Sequence, residues 1–477
     1  MIDPDTGNTV DFKVMIHKIH AGANLPSVQS GTPYQIIGYQ QGVHDYSTVE
    51  FPQPVQDCNK CHEGAKQGDR WNTTPSRAAC GSCHDDLWFG DQTAIPTGMI
   101  KHIGGAQKDD SLCVICHGKN AQAPIEQKHL TPYTDPLSPK LVFNIVQVDK
   151  TAPGQTPELV FNVTVDGQPR DILANPLPRL RVTLAGPTTD YAQYWQYTIQ
   201  GSGSTGSLVA DSSNFRYTFP SPIPASAKGS YAVGMEGYIQ PAPNGPEYAA
   251  LNPVAYVAVT DAQPVPRRTV VETQQCDHCH GTLEAHGGPR TNTQYCIMCH
   301  NPNNDNDERV ARMEGSTIVA HTVNFRAMIH AIHMGENHTK PYVLGGYPPP
   351  STTNPGGSPI DINELRYPRP QNECNSCHVN NSQQLPLASG LLPSLSETFT
   401  CSETPGADGN DYCNDPYWVG TKKYTPPTTS VCTSCHDADS TAAHAEIMTT
   451  SGGVESCATC HGPGKVYDID VFHAPAP

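Results

Sequence analysis

Sixteen of the 18 cysteines fall into eight Cys-x-x-Cys pairs, and a histidine follows each pair at once. The pairs are Cys58/Cys61 with His62, Cys80/Cys83 with His84, Cys113/Cys116 with His117 and Cys276/Cys279 with His280. The rest are Cys296/Cys299 with His300, Cys374/Cys377 with His378, Cys432/Cys435 with His436, and Cys457/Cys460 with His461. With 21 histidines in 477 residues, eight such followers do not arise by chance. Two thiols at this spacing reach the two vinyl groups of one porphyrin, and the adjacent imidazole lies under the iron as proximal ligand. Zinc ribbons pair one Cys-x-x-Cys with another and need no following histidine. A thioredoxin-like redox pair needs one motif on a βαβ frame. The chemistry is covalent attachment of eight c-type haems.

The chain repeats itself. Asp11-Phe12-Lys13-Val14-Met15-Ile16-His17-Lys18-Ile19-His20 matches Asn324-Phe325-Arg326-Ala327-Met328-Ile329-His330-Ala331-Ile332-His333. Phe51-Pro52-Gln53-Pro54 before Cys58 matches Tyr367-Pro368-Arg369-Pro370 before Cys374. The motifs at Cys80 and Cys113 then match those at Cys432 and Cys457, with His129 and His473 in equivalent places. The second copy has two further motifs, at Cys276 and Cys296, ahead of its Met-Ile-His helix. The first copy begins just after that point. The expectation is therefore a longer natural protein with two more haems upstream, ten in all, and an export signal.

Thirteen histidines remain once the eight proximal ones are set aside. His17, His20, His102 and His129 in the first copy, and His286, His330, His333, His444 and His473 in the second, are the distal iron-ligand candidates. His17 and His20, like His330 and His333, are spaced i, i+3 on an apolar helix, which puts both imidazoles on one face. His286 lies six residues after His280, in Ala285-His286-Gly287-Gly288. His44, His278, His321 and His338 read as non-ligands, with His321 the first substitute. Bis-histidine ligation fills both axial positions, which suits electron transfer at low potential and leaves no open site for a substrate.

The elements that carry these groups are loop-rich. There are 45 Pro and 40 Gly, and only 16% of residues are charged against about 25% usually. Haem macrocycles replace side-chain core in such a chain, as short helices and loops around each motif. The net charge of −17 argues against nucleic acid or an anionic lipid surface as partner. No apolar run is long enough to span a bilayer, and no secretory signal is visible at the N-terminus. Covalent haem attachment takes place outside the cytoplasm, so export is nonetheless expected.

Between about 132 and 268 there is no Cys or His. Alternating apolar runs separated by Gly, Pro, Asp and Asn turns read as seven or so strands of an antiparallel sandwich or barrel, a spacer or docking face. The reading is thus a multidomain multihaem cytochrome c. A three-haem segment occupies 1–131, the β-domain 132–268 and a pentahaem domain 269–477, with an insertion over 379–430. Within that insertion, Cys401 and Cys413 most simply form a disulfide in an oxidising compartment; a reactive thiol pair is the other reading. The Asn/Asp-rich stretch 301–308 reads first as a solvated loop and second as a Ca²⁺ site.

Two haem clusters around a β-domain, the Met-Ile-His-x-Ile-His helix and the Cys-x-x-Cys-His-Asn-Pro segment at 296–302 resemble the OmcA/MtrC family of outer-surface decahaem cytochromes. The family order is β-domain, five haems, β-domain, five haems. This chain resembles its last three haems of the first set, second β-domain and full second set. The resemblance implies electrons received from a porin–cytochrome conduit or another multihaem cytochrome. They would be delivered outside the cell to insoluble metal oxides, metal chelates, flavins or an electrode, as an outer-sphere metal reductase without a substrate pocket. It implies an extracellular or secreted place, with membrane contact only through a lipid anchor upstream. A polymerised cytochrome filament and a periplasmic oxyanion reductase are the alternatives. The cysteine pair that some members carry in the second β-domain has no counterpart here.

Overall fold

Apolar residues at alternating positions from Leu141 onward build strands, and β-branched and aromatic residues dominate them. Ten form where the pattern implied seven or so: β1 Leu141–Asp149, β2 Glu158–Val165, β3 Gln168–Pro169, β4 Arg179–Gly186, β5 Gln193–Gln200, β6 Ser207–Asp211, β7 Asn214–Thr218, β8 Ser230–Ile239, β9 Tyr248–Ala249 and β10 Val254–Ala258. The extra ones are either two residues long or as polar as β5 and β6, where periodicity is faint. The computed structural model describes residues 2–304, 318–345, 359–363, 365–401 and 418–474. The Cys401–Cys413 pairing lies outside these, as does the second half of the 301–308 stretch.

The strands make two antiparallel five-stranded sheets. One runs β6–β7–β2–β1 with β3 on β2; the other runs β9–β8–β4–β5 with β10 on β8. Asp166 and Gly167, both at positive φ, close the β2–β3 hairpin as a two-residue turn of this kind requires. Phe143, Leu159, Phe161 and Val163 of the first sheet meet Leu180, Val182, Val233 and Met235 of the second in one buried cluster. That makes a sandwich.

Two compact units make up the chain: Met1–Ser138 with Cys279–Thr282, and Pro139–His278 with Leu283–Pro477. In the first unit, α1 (Phe12–Ala21) packs on the helix Arg77–Cys83, over a small core of Ala21, Leu25 and Tyr34. The other helices around its motifs are four or five residues long, such as Asn59–His62 and Cys113–His117. In the second unit, α2 (Thr293–Cys299) and α3 (Phe325–Met334) carry haem-motif and distal-candidate residues. A hairpin of Ser394–Cys401 and Trp418–Thr425 falls within the 379–430 insertion.

Strand β8 breaks the usual half-buried alternation. Nine of its ten residues are buried, because its second face is covered too. Tyr295 and Met298 of α2 lie over Gly234, where a Cβ would stand 2.6 Å from the Tyr295 ring and 3.1 Å from the Met298 sulfur. Gly234→Val is therefore expected to overpack this contact and destabilise the second unit by about 1–3 kcal/mol. Urea melts of the two proteins check it.

Candidate haem-ligand sites

The two-histidine helices are built alike. Each follows an Asx residue, Asp11 or Asn324, and the Asp11 side chain accepts from the Lys13 amide at 3.0 Å. Each ends at a glycine in the left-handed region, Gly22 (φ 43°) or Gly335 (φ 47°). A Cβ there would stand 2.2 Å from the Val49 carbonyl or 2.1 Å from the Leu365 carbonyl, so only glycine fits both the turn and the crossing chain. On α3, Met328 and Ala331 pack into a core with Val323, Tyr342, Leu344 and Ile362, and Ala327 is buried as well. This holds the helix in one rotation, with His330 and His333 on a shared side.

Seven motif histidines each face a second imidazole. In the first unit the ring centroids are 6.2 Å apart for His62 and His17, 6.1 Å for His84 and His129, and 6.3 Å for His117 and His102. In the second unit they are 5.7 Å apart for His300 and His286, and 5.9 Å for His378 and His330. The same distances are 5.9 Å for His436 and His473, and 6.3 Å for His461 and His444. The Nε2 atoms of His286 and His300 are 3.5 Å apart. Two imidazoles on one metal at about 2.0 Å each would place their nitrogens about 4 Å apart. The residues therefore fit an iron between each pair. The pairings of the first unit repeat in the second: His17–His62 as His330–His378, His84–His129 as His436–His473, and His102–His117 as His444–His461.

Spacing makes the eight cysteine pairs alike; their burial does not. Cys61, Cys116, Cys432 and Cys460 are exposed. Cys58, Cys80, Cys83, Cys113, Cys276, Cys279, Cys296, Cys299, Cys374, Cys377, Cys435 and Cys457 are half-buried. None of these sixteen is in a disulfide, so each thiol remains for a thioether bond to a vinyl group. Helix length separates Cys61, Cys116 and Cys460 from the pair on α2. Cys61, Cys116 and Cys460 stand on the single-turn helices Asn59–His62, Cys113–His117 and Ala458–His461, too short to turn an apolar face inward. Cys296 and Cys299 stand on α2, whose seven residues reach the sandwich. Cys377 lies just past the 3₁₀ turn Cys374–Ser376, with its amide donating to the Cys374 carbonyl at 3.1 Å.

Hydrogen bonds choose the tautomer. Nδ1 of His20, His129, His333 and His473 lies 2.7–2.9 Å from the carbonyl four residues earlier, and His330 does the same with Arg326. His102 uses Gly105, His117 uses Ala123, His300 uses Val323 and His461 uses Tyr467. A carbonyl can only accept, so Nδ1 carries the proton and the Nε2 lone pair is bare for a metal. His280, which falls in the first unit, uses Pro52, and His378 pairs with the Ser382 hydroxyl. His20 and His333 also pack edge-on against Phe51 and Tyr367, the aromatic residues at equivalent places in the two copies.

Electrostatics point the same way. Burial, then the neighbouring His330, pushes His378 down to about 4. Burial lowers His17, His84 and His330 too, so these rings are neutral at neutral pH, the ligating form. Burial raises the Cys296 and Cys299 thiols to about 12 and the Cys58 and Cys435 thiols to about 11. Such thiols are poor redox nucleophiles or zinc thiolates, which need depressed values.

The histidines read as non-ligands are placed otherwise. His44 and His278 are exposed. His321 stacks on Tyr342 at 4.2 Å. His338 lies between the Asp437 carboxylate and the Ala331 carbonyl.

Sequence reasoning overlooked the aspartate that follows a motif histidine at the same place in both copies, Asp85 and Asp437. Asp85 accepts from the Ser27 amide and hydroxyl and from Lys18 on α1 at 2.6 Å, tying that helix to the motif at Cys80. Asp437 accepts from Thr339 and Lys340, just beyond α3. The signal was legible as His84-Asp85 and His436-Asp437. Burial opposes the Asp85 charge, but Lys18 and Ser27 outweigh it and hold the carboxyl below its ordinary range. That stabilisation is present above the unfolded value of about 3.9 and is lost as pH falls through the folded one. Asp85→Asn is thus expected to lower stability at neutral pH and to flatten the acid limb, as read from urea midpoints between about pH 2 and 7.

A family described as outer membrane cytochrome MtrC/MtrF-like, domains II/IV, matches residues 2–130 and 268–474. The multiheme cytochrome MtrC of Shewanella baltica (strain OS185) is 32% identical over 124 residues, which cover 23% of this chain and 19% of that protein. The crystal structure of MtrC from Shewanella baltica OS185 superposes with a TM-score of 0.52 at 17% identity. It covers 86% of this chain and 65% of that one, a likeness of fold. The chain spans less than two thirds of the length of these relatives. The family match falls on both halves of the internal duplication and passes over the sandwich between them; the chain belongs to the MtrC/MtrF-like outer membrane cytochromes.

Proposed function

We propose that this chain moves electrons along a row of bis-histidine c-type haems on the outer surface of the cell. The observation that carries the reading is the set of seven facing imidazole pairs, each with one member in a Cys-x-x-Cys-His motif. When bound, a c-type haem would supply a reversible one-electron centre held by two histidines. The sixteen motif cysteines anchor the groups covalently. His62, His84, His117, His280, His300, His378, His436 and His461 serve as proximal ligands. His17, His102, His129, His286, His330, His444 and His473 stand opposite seven of them, with His20 and His333 beside them on the two-histidine helices. The carbonyls that hold Nδ1 of His102, His117, His129, His280, His300, His330, His461 and His473 keep those rings in the ligating tautomer and orientation.

In the longer protein these would be the last three haems of one five-haem set and the whole of a second. The division at 131 and 268, the ten haems and a lipid anchor upstream belong to that proposal. Other multihaem cytochromes or a porin–cytochrome conduit would supply electrons. Metal oxides, metal chelates or flavins would accept them at exposed haem edges, and the surface positions of Cys61, Cys116, Cys432 and Cys460 favour their four motifs for that exchange.

The test is the full chain exported through a host with c-type haem attachment. Pyridine haemochrome and intact mass should count eight haems on this chain, and the spectrum should be low-spin throughout. Reduced protein mixed with a soluble Fe(III) chelate should be reoxidised, with about one iron reduced per haem. Fewer covalent haems, or a reduced protein that Fe(III) leaves unchanged, would overturn the reading.

A further inference from the structure

The sandwich was read from sequence as a spacer or docking face. We infer instead that its second sheet is the template of one haem site, and that Glu236 and Asn252 are positioning residues for the distal ligand His286. The inference rests on the ligand reading above.

His286 sits on a short turn rather than on a helix. Its φ is 56°, and Gly287 and Gly288 follow at 81° and 107°, three successive residues in the left-handed region. An isolated bridge between Ala285 and Arg290 closes the turn, with the Ala285 amide donating to the Arg290 carbonyl at 3.0 Å. The Gly288 amide also donates to the Ala285 carbonyl at 3.2 Å; these bonds set the shape of the turn, not its direction. The distal candidates on α1 and α3 and His129 and His473 are fixed differently, by their own helices or by the helix they follow.

The sandwich fixes it instead. Glu236, in the middle of β8, is fully buried. Its carboxylate accepts from Arg290 Nε at 2.6 Å and from Arg179 at 2.5 Å. Asn252, buried between β9 and β10, donates to the Pro289 carbonyl at 2.9 Å and accepts from the Thr291 amide at 2.7 Å. Its own carbonyl takes the Asn292 side chain at 2.8 Å. Asn292 caps α2, accepting from the Gln294 amide. Four successive residues after the glycine pair are therefore held by two side chains and one carbonyl of the β-domain.

The same sheet face holds the other ligand. The Tyr295 hydroxyl meets Thr183 of β4 at 2.9 Å, and Tyr295 and Met298 are buried against Gly234. At the far end of α2 stand Cys299 and His300. Both imidazoles of the His286–His300 pair thus take their places from β4, β8 and the β9–β10 loop. A lost clamp should release the distal ring and leave the proximal one attached.

The experiment uses the full haem-loaded chain. His286→Ala sets the reference, with one high-spin haem in eight that binds CO when reduced. Glu236→Gln is expected to give the same high-spin fraction and one CO per chain, with all eight haems still attached. Glu236→Asp should restore low-spin ligation in part. Eight haems, all low-spin, in Glu236→Gln would overturn the inference. If Glu236→Gln fails to fold, as shown by a haem count below eight, Asn252→Ser decides, since it leaves the Glu236 ion pairs intact. One CO-binding haem there supports the clamp, and none overturns it. If His286→Ala itself stays low-spin, the ligand assignment fails rather than the clamp.

Discussion

Replacing His330 with Ala is expected to turn one haem in eight from low-spin to high-spin without changing the haem count. His330 is half-buried on α3, faces His378 at 5.9 Å with an interplanar angle of 20°, and gives its Nδ1 proton to the Arg326 carbonyl. Burial makes it hard to charge. No second imidazole on α3 can substitute, because His333 is one step round the helix, with Nδ1 bound to Ile329 and its ring against Tyr367. Losing even a residue that merely orients a metal ligand costs about ten- to a hundredfold in affinity or activity. Electron throughput from a reductant to an Fe(III) chelate should therefore fall by at least about tenfold. Stopped-flow reoxidation checks the rate, and electron paramagnetic resonance at low temperature counts the high-spin iron. His17→Ala should do the same at the His62 site. A variant with unchanged spectrum and rate would remove His330 from the ligand set.

Asp190→Ala carries the largest expected loss of stability. Asp190 is buried and takes Arg268 at 3.1 Å, Arg267 at 3.4 Å and Arg326 at 3.7 Å, while its other bond comes from the Leu392 amide at 3.0 Å. Three guanidinium groups converge on one carboxylate. Arg326 belongs to α3, Arg267 and Arg268 to the segment after β10, and Leu392 to the insertion. Removing the anion leaves buried cations uncompensated, and breaking such a pair costs about 3–5 kcal/mol. Burial already pushes Arg326 down to about 10, with Asp190 the main force holding its charge. Denaturant unfolding of the second unit should show the drop. Asp190→Asn keeps the shape and loses only the charge, so it separates electrostatics from packing.

The candidate site was legible in the sequence to an unusual degree. Haem attachment binds ligands to a covalent code, and a duplicated chain writes that code twice. His286, the helix histidines and the pair following each last motif could all be placed from spacing and from the match between copies. What spacing could not give was the face on which each ring meets its partner, because that depends on bonds from Nδ1 to carbonyls with no side-chain signature. Nor could it separate exposed cysteines such as Cys61 and Cys460 from half-buried ones such as Cys377, since the code is the same in every motif and the packing around it is not. The sandwich was legible as a β-domain but not in its strand count. Strand β5, from Gln193 to Gln200, mixes Gln with aromatics, and β3 and β9 are two residues each, too short to show a period. Its contact with the His286 turn was hidden for a further reason. Glu236, Asn252 and Gly234 look like ordinary strand and loop residues until α2 and the His286 turn are laid against them. Distance in the chain hid that contact.

The paired histidines on α1 and α3 have a mechanical consequence. Three residues of α-helix advance about 4.5 Å along the axis. Both rings are tied through Nδ1 or through packing to one rigid rod, so the offset between the two imidazoles is set by helix geometry and not by loop conformation. The helix is a ruler. Tunnelling falls steeply with separation, and in the proposed haem chain a ruler of this kind would keep one hop in each copy at a fixed gauge. Gly22 and Gly335 matter to this gauge as well. They let the chain fold back hard against the end of each rod, so that its length ends at the same turn in both copies.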